Sequence, residues 1–186
     1  MKQRRQNGFT VLELMIVIAV MAILTVVAVP NFRNAIQNNR ITAQTNDLIT
    51  AFQLARSEAV KRGRPVTVCA SNVIEAEDDG NAPTCDDDWS EGWMVVVDGL
   101  ASEGSNSVTL TQRIRAWRPV NDDATVEDNP DTEFLRFLPR GDVDAPAGLV
   151  LPLEFEVRIP DCTGDRARDI EISRSGSVSS ERATCS

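Results

Sequence analysis

The chain has 186 residues, 42% of them apolar, and carries a formal charge of −9. That length fits about one domain, and that apolar content supports a core, which excludes disorder throughout. Histidine is absent, so Ser-His-Asp and Cys-His nucleophile pairs, histidine-ligated zinc and the commonest general base are excluded. A net negative chain is also ill-suited to phosphate-backbone binding as its main task.

The charge changes sign along the chain. Lys2, Arg4 and Arg5 give residues 1–8 a charge of +3, and residues 9–30 hold Glu13 alone. Arg33, Arg40, Arg56, Lys61, Arg62 and Arg64 outweigh Asp47 and Glu58, leaving 31–64 at +4, whereas 65–186 carry −15. A basic tip, an apolar segment, a basic helix and an acidic body follow one another.

From Phe9 to Val29 runs a stretch of 21 residues whose single ionisable member is Glu13. As a helix it is about 30 Å long, enough to span the hydrocarbon core of a bilayer. The basic tip before it predicts a cytoplasmic N-terminus and an exported body. A secretory signal would place its small-residue cleavage site after the apolar run. Here Val29-Pro30-Asn31 is a poor site, and the small residue Gly8 lies before the run. An acid within a membrane helix costs about 2.5–3.5 kcal/mol at its centre on insertion scales, which makes Glu13 a functional candidate needing a cation at similar depth. Cleavage after Gly8 would create one, the α-amino group of Phe9.

These residues resemble a known signal. Gly8-Phe9-Thr10-Val11-Leu12-Glu13-Leu14-Met15-Ile16-Val17 is similar to the type III signal of type IV pilins and type II secretion pseudopilins. The resemblance implies a leader at 1–8 cut after Gly8 by a prepilin peptidase, and N-methylation of Phe9. It also implies a transmembrane and assembly half at 9–30, with Glu13 as the subunit-assembly acid and Pro30 as the helix-kinking proline.

From Asn31 the helix is expected to continue as an amphipathic stem to Arg64. Ile41, Leu48, Phe52, Ala55 and Ala59 recur on a helical period and predict one buried stripe. Asn38, Arg40, Gln44, Asp47 and Arg56 are read as its solvated or inter-subunit faces. Gly63 and Pro65 end it.

Residues 65–186 read as a β-rich head. Strands are expected at Pro65–Cys69, Trp93–Asp98, Val108–Trp117, Phe134–Leu138, Leu153–Ile159 and Asp169–Ser173, with loops at 74–92 and 118–133. Phe155, Val157 and Ile159 alternate with Glu154, Glu156 and Arg158, and Val108, Leu110, Gln112, Ile114 and Ala116 form a second row. Such alternation fits half-buried antiparallel strands.

Two further stretches, Ala51-Phe52-Gln53-Leu54-Ala55-Arg56-Ser57-Glu58-Ala59-Val60-Lys61-Arg62 followed by Pro65-Val66-Thr67-Val68-Cys69, and Trp89-Ser90-Glu91-Gly92-Trp93-Met94-Val95-Val96-Val97-Asp98, are similar to the GspH/FimT family of minor pilins and pseudopilins. The resemblance implies an α+β, pilin-like fold, with a long N-terminal helix packed on an antiparallel, sandwich-like head. It implies an inner-membrane subunit with a periplasmic head that then enters a pilus or pseudopilus tip. Its partners would be other minor pilins, the major pilin, the prepilin peptidase, the assembly platform and the inner membrane. A FimU-like type IV minor pilin is the nearest description, and a GspH-type secretion pseudopilin is the alternative.

Cys69, Cys85, Cys162 and Cys185 lie in the exported body, where disulfides persist. Of three connectivities, Cys69–Cys85 and Cys162–Cys185 are favoured, each closing a local loop. The unequal spacings argue against zinc. Glu75, Glu77, Asp78, Asp79, Asp86, Asp87 and Asp88 do not match EF-hand spacing, and Arg140-Gly141-Asp142 reads as a turn. No residue is assigned to catalysis and no metal or cofactor is expected. Some FimT-like members contact DNA through a Gly-Arg-x-Arg motif. The corresponding stretch here, Gly176-Ser177-Val178-Ser179, lacks both arginines, so strong nucleic-acid binding is not expected.

Overall fold

The computed structural model describes residues 10–71, 84–99, 103–119, 124–129, 132–144, 150–160, 162 and 164–185. The Gly8-Phe9 junction and the acids Glu75, Glu77, Asp78 and Asp79 lie outside the described residues. Helix α1 runs Val11–Arg62, 52 residues. Thr10 caps it: its hydroxyl accepts the Glu13 N–H at 3.2 Å, and its carbonyl accepts the Leu14 N–H at 3.2 Å. Thr10 and Glu13 thus have capping-box spacing. Pro30 brings no N–H, yet the helix continues through it. Gly63, at φ +62°, turns the chain out of the last turn, where Lys61 and Arg62 suit the negative helix end. Hydrogen bonds from Arg62 and then Lys61 hold the Glu58 carboxyl below its ordinary range.

The chain forms two compact units, one ending at Asn38 and the other running Asn39–Ser186. The boundary falls inside the stem, so most of the stem belongs to the head unit. In the first unit the large apolar side chains from Val11 to Val26, with Val29 and Phe32, are 49% to 76% exposed among the described residues. At about 100° per residue they cover every side of the helix rather than one stripe. Among the described residues no helix is long and apolar enough to cross a membrane. The 21-residue run of the sequence also includes Phe9 and the Val27 side chain, which are not among them.

Among the described residues of the second unit nine strands follow: β1 Val66–Ala70, β2 Trp93–Asp98, β3 Leu110–Trp117, β4 Thr125–Asn129, β5 Phe134–Phe137, β6 Val143–Asp144, β7 Leu153–Arg158, β8 Ala167–Ile172 and β9 Val178–Ala183. They make a five-stranded sheet in the order β3-β2-β1-β5-β6 and a four-stranded sheet in the order β4-β7-β8-β9. Every pairing is antiparallel.

One core joins helix and sheets. Ile41, Leu48, Phe52, Ala55 and Ala59 fall within about 60° on the helix, and all five are fully buried. They share a cluster with Val68, Val95, Leu135 and Phe137 from the five-stranded sheet and with Leu153, Phe155, Val157 and Ile170 from the other. Phe52 lies 5.2 Å from Phe155 between ring centroids, and Trp89 lies 5.0 Å from Phe155 edge-on, the tilted geometries aromatic pairs favour. The Trp89 indole donates to the Thr132 carbonyl at 2.7 Å. A smaller cluster of Cys69, Met94, Val96 and Phe134 lies apart from that core.

The structure corrects the sequence reading in several places. Gln44 is fully buried rather than solvated. Arg56 is half-buried and reaches across to two turns. A strand, β4, crosses the predicted loop 118–133, and β6 and β9 add two more. The Val108-to-Ala116 row is split. Register shifts between Val95 and Val96 and between Val97 and Asp98 send Ile114 to the main core while Val108, Leu110 and Ala116 pack on the smaller cluster. A bulge adds one residue to one strand, so the side chains beyond it change face.

Candidate functional site

Glu13 stands in the first turn of α1, surrounded along the chain by exposed apolar side chains. Its backbone is fixed by Thr10, and a carboxylate near a helix N-terminus is favoured by the helix dipole. This end of the molecule is therefore an apolar rod with one acid held at a defined position. Because the rod is apolar on all sides, it can pack against lipid or against other such rods.

The head is held by polar devices that the sequence reading did not single out. Arg136 on β5 is fully buried. Its Nε donates to Asp98 at 2.8 Å and its Nη1 to Asp144 at 2.9 Å. The Ser105 and Ser107 carbonyls accept further bonds at 2.9 and 2.6 Å. Asp144 also accepts the Gly104 N–H at 2.8 Å, and Asp98 accepts the Thr109 N–H at 3.1 Å. The network ties segment 104–109 to the five-stranded sheet. Arg56 makes a second tie, donating to the carbonyls of Gly141 and Ser175, both at 2.9 Å.

That second tie explains Gly176. It sits at φ +74°, and a Cβ there would collide with the Gly141 carbonyl. The glycine of the Gly176-Ser177-Val178-Ser179 stretch therefore serves a close approach of two turns, while Ser177 and Ser179 are exposed. Arg140-Gly141-Asp142 closes the other turn, with the Gly141 N–H donating to Leu138 at 2.8 Å.

Cys69 is joined to Cys85, with Cα atoms 5.5 Å apart, and Cys162 to Cys185, 5.7 Å apart. The first links β1 to the segment before Trp89; the second fastens the C-terminal segment after β9. Asp86 and Asp88 cap their own turn by accepting the N–H groups of Asp87 and Ser90. Among the described residues no group of acids and cysteines could hold a metal ion.

Comparison with known proteins agrees with this geometry. Residues 44–176 match the family described as Type II transport protein GspH, and residues 3–29 match the prokaryotic N-terminal methylation motif. The type IV major fimbrial protein FimA of Dichelobacter nodosus is 30% identical over 113 residues, covering 57% of this chain and 70% of that protein. The crystal structure of the Pseudomonas aeruginosa type IV minor pilin FimU shares the fold, with a TM-score of 0.57 and 21% identity over 80% of this chain and 96% of that one. With a family match across most of the head and the methylation motif before it, the chain belongs to the GspH family and is a type IV pilin-like structural subunit.

Proposed function

We propose that the chain is a minor pilin that primes or caps a type IV pilus. Residues 1–8 are removed after Gly8, the new Phe9 amine is methylated, and the apolar helix holds the subunit in the inner membrane until assembly. Cleavage is what makes Glu13 useful. An apolar bundle disfavours an unpaired carboxylate strongly, and a matched amine restores the balance, so the pair selects register more than it adds net affinity. On one helix the Phe9 amine and Glu13 are separated by about 6 Å of rise, and a neighbouring subunit offers the same amine to the same acid. Pro30, without an N–H, marks where the assembly half meets the stem.

The observation that carries this reading is the first part of the helix, from Val11 to Val29, apolar and exposed on all sides, which lies within the residues that match the methylation motif, 3–29. Intact-mass analysis of the membrane-extracted protein tests the processing step. The expected species lacks residues 1–8 and carries one added methyl group. A species retaining Met1 to Gly8 in assembled material contradicts it. The match to a family described by type II transport favours a second reading, a pseudopilin. Deletion separates the two: loss of surface filaments supports the pilus, and loss of protein secretion with filaments intact supports the pseudopilus.

A further inference from the structure

The head carries two oppositely charged surfaces. On the four-stranded sheet the side chains opposite the buried Leu153, Phe155 and Val157 form one outer face. Register places Glu127 opposite Glu156, Glu156 opposite Asp169, and Asp169 opposite Glu181, one acid from each of four strands. Glu154 faces Glu171 in the next row. Arg158, which pairs with Glu127, is the one cation of that face on β7. Like charges directly opposite in a sheet repel, and the row crosses three inter-strand steps, about 14 Å. Carboxylates spread one per strand do not converge on a point, and among the described residues none form a metal-holding group. Such a row suits an extended line of cations.

The same head supplies that line. The end of α1 and strand β3 meet where the Arg62 guanidinium donates to the Gln112 side chain at 3.0 Å. Segments 58–64 and 110–117 hold Lys61, Arg62, Arg64, Arg113 and Arg115 against Glu58 alone, with Arg115 and Arg113 flanking the β3 edge on its two faces, within a body of otherwise acidic balance. Lys61 is 75% exposed. Arg115 is exposed and lies 4.6 Å over the Trp117 ring, which restricts its orientation before any partner arrives. Strand β3 is also a sheet edge.

We infer that the basic ridge of α1's end and β3 docks on the carboxylate face of the four-stranded sheet of a second copy of this chain. The two surfaces differ, so the contact is heterologous: one copy gives its ridge and the other its carboxylate face. It uses the head alone and is separate from packing between apolar helices. It deepens the subunit reading and rests on it for the neighbours it needs.

The test uses two differently tagged full-length copies, co-expressed, extracted in detergent and co-purified. Lys61→Glu with Arg115→Glu reverses two charges of the ridge; Glu171→Lys with Glu181→Lys reverses two charges of the face. All four side chains are exposed or lie on the outer face, and circular dichroism melts check folding. Either reversal, carried by both copies, is expected to cut co-purification about tenfold. Pairing a ridge-reversed copy with a face-reversed copy is expected to restore it, because the unaltered ridge of the second copy then meets the unaltered face of the first. Raising salt from about 0.1 M to about 1 M shortens the screening length from about 10 Å to about 3 Å and should weaken the unmodified pair. Unchanged co-purification in the reversals overturns the proposal, as does a loss in folded variants that mixing does not restore. Retention of DNA by the ridge, lost on reversal with co-purification unaffected, overturns it in favour of nucleic acid. Processing measured by intact mass is independent of every one of these outcomes, so failure here leaves the subunit reading separately tested.

Discussion

A guanidinium buried on a strand must place five N–H donors. Arg136 places four of them on Asp98, Asp144 and the carbonyls of Ser105 and Ser107. Removing the cation leaves two carboxylates buried without it, and breaking a buried pair costs about 3–5 kcal/mol. Arg136→Met is therefore expected to lower stability by about that much in urea unfolding, at nearly unchanged apolar packing. A loss below about 1 kcal/mol would mean that water replaces the guanidinium. Nothing local announces this residue. In Phe134-Leu135-Arg136-Phe137 it interrupts an apolar run, and its partners lie 8 to 38 residues away in sequence, so only the closed sheet brings them together. Gly176 is a similar case: its need for glycine comes from Gly141, across two turns.

At the level of elements, the helix stripe was legible because Ile41, Leu48, Phe52, Ala55 and Ala59 obey one period, and a period is a local property. Strands β1, β2, β5 and β7 were legible for the same reason, being apolar runs or clean alternations. The strands that escaped, β4 with Thr-Val-Glu-Asp-Asn, the two-residue β6 with Val-Asp, and β9 with Val-Ser-Ser-Glu-Arg-Ala, are all sheet edges. Their partners, more than their own side chains, make them strands. The split of β3 was hidden because a bulge leaves no mark in composition. Register also sets a prediction on the acid row. Burial, and then Glu154 and Glu181, push the Asp169 carboxyl above its ordinary 3.8. The folded head therefore binds that proton more tightly than the unfolded chain, and the stability of the neutral form is full below about pH 3.8 and lost as pH rises through the raised value. Asp169→Asn is expected to stabilise the head by about 0.2–1 kcal/mol at neutral pH, a gain that vanishes near pH 3.5. Urea melts at the two pH values measure it; an equal gain at both would locate the effect in packing rather than charge.

Across the whole molecule, charge and apolarity are segregated by sequence block: +3 at residues 1–8, a single acid in 9–30, +4 in the stem and −15 in the head. The two disulfides and the shared core make the head a body that tolerates export. The exposed apolar helix is the part that needs neighbours. In the proposed assembly Glu13 decides which neighbours fit. Glu13→Val removes a charge disfavoured in a bilayer, so membrane levels should hold or rise. Register selection should fail. The direct measurement compares the variant in sheared surface filaments with its level in the inner membrane. The account predicts depletion from filaments by about tenfold or more at normal membrane levels, since one misplaced buried charge pair exceeds 1.4 kcal/mol. Normal incorporation at normal membrane levels would contradict it and leave the helix as a plain anchor.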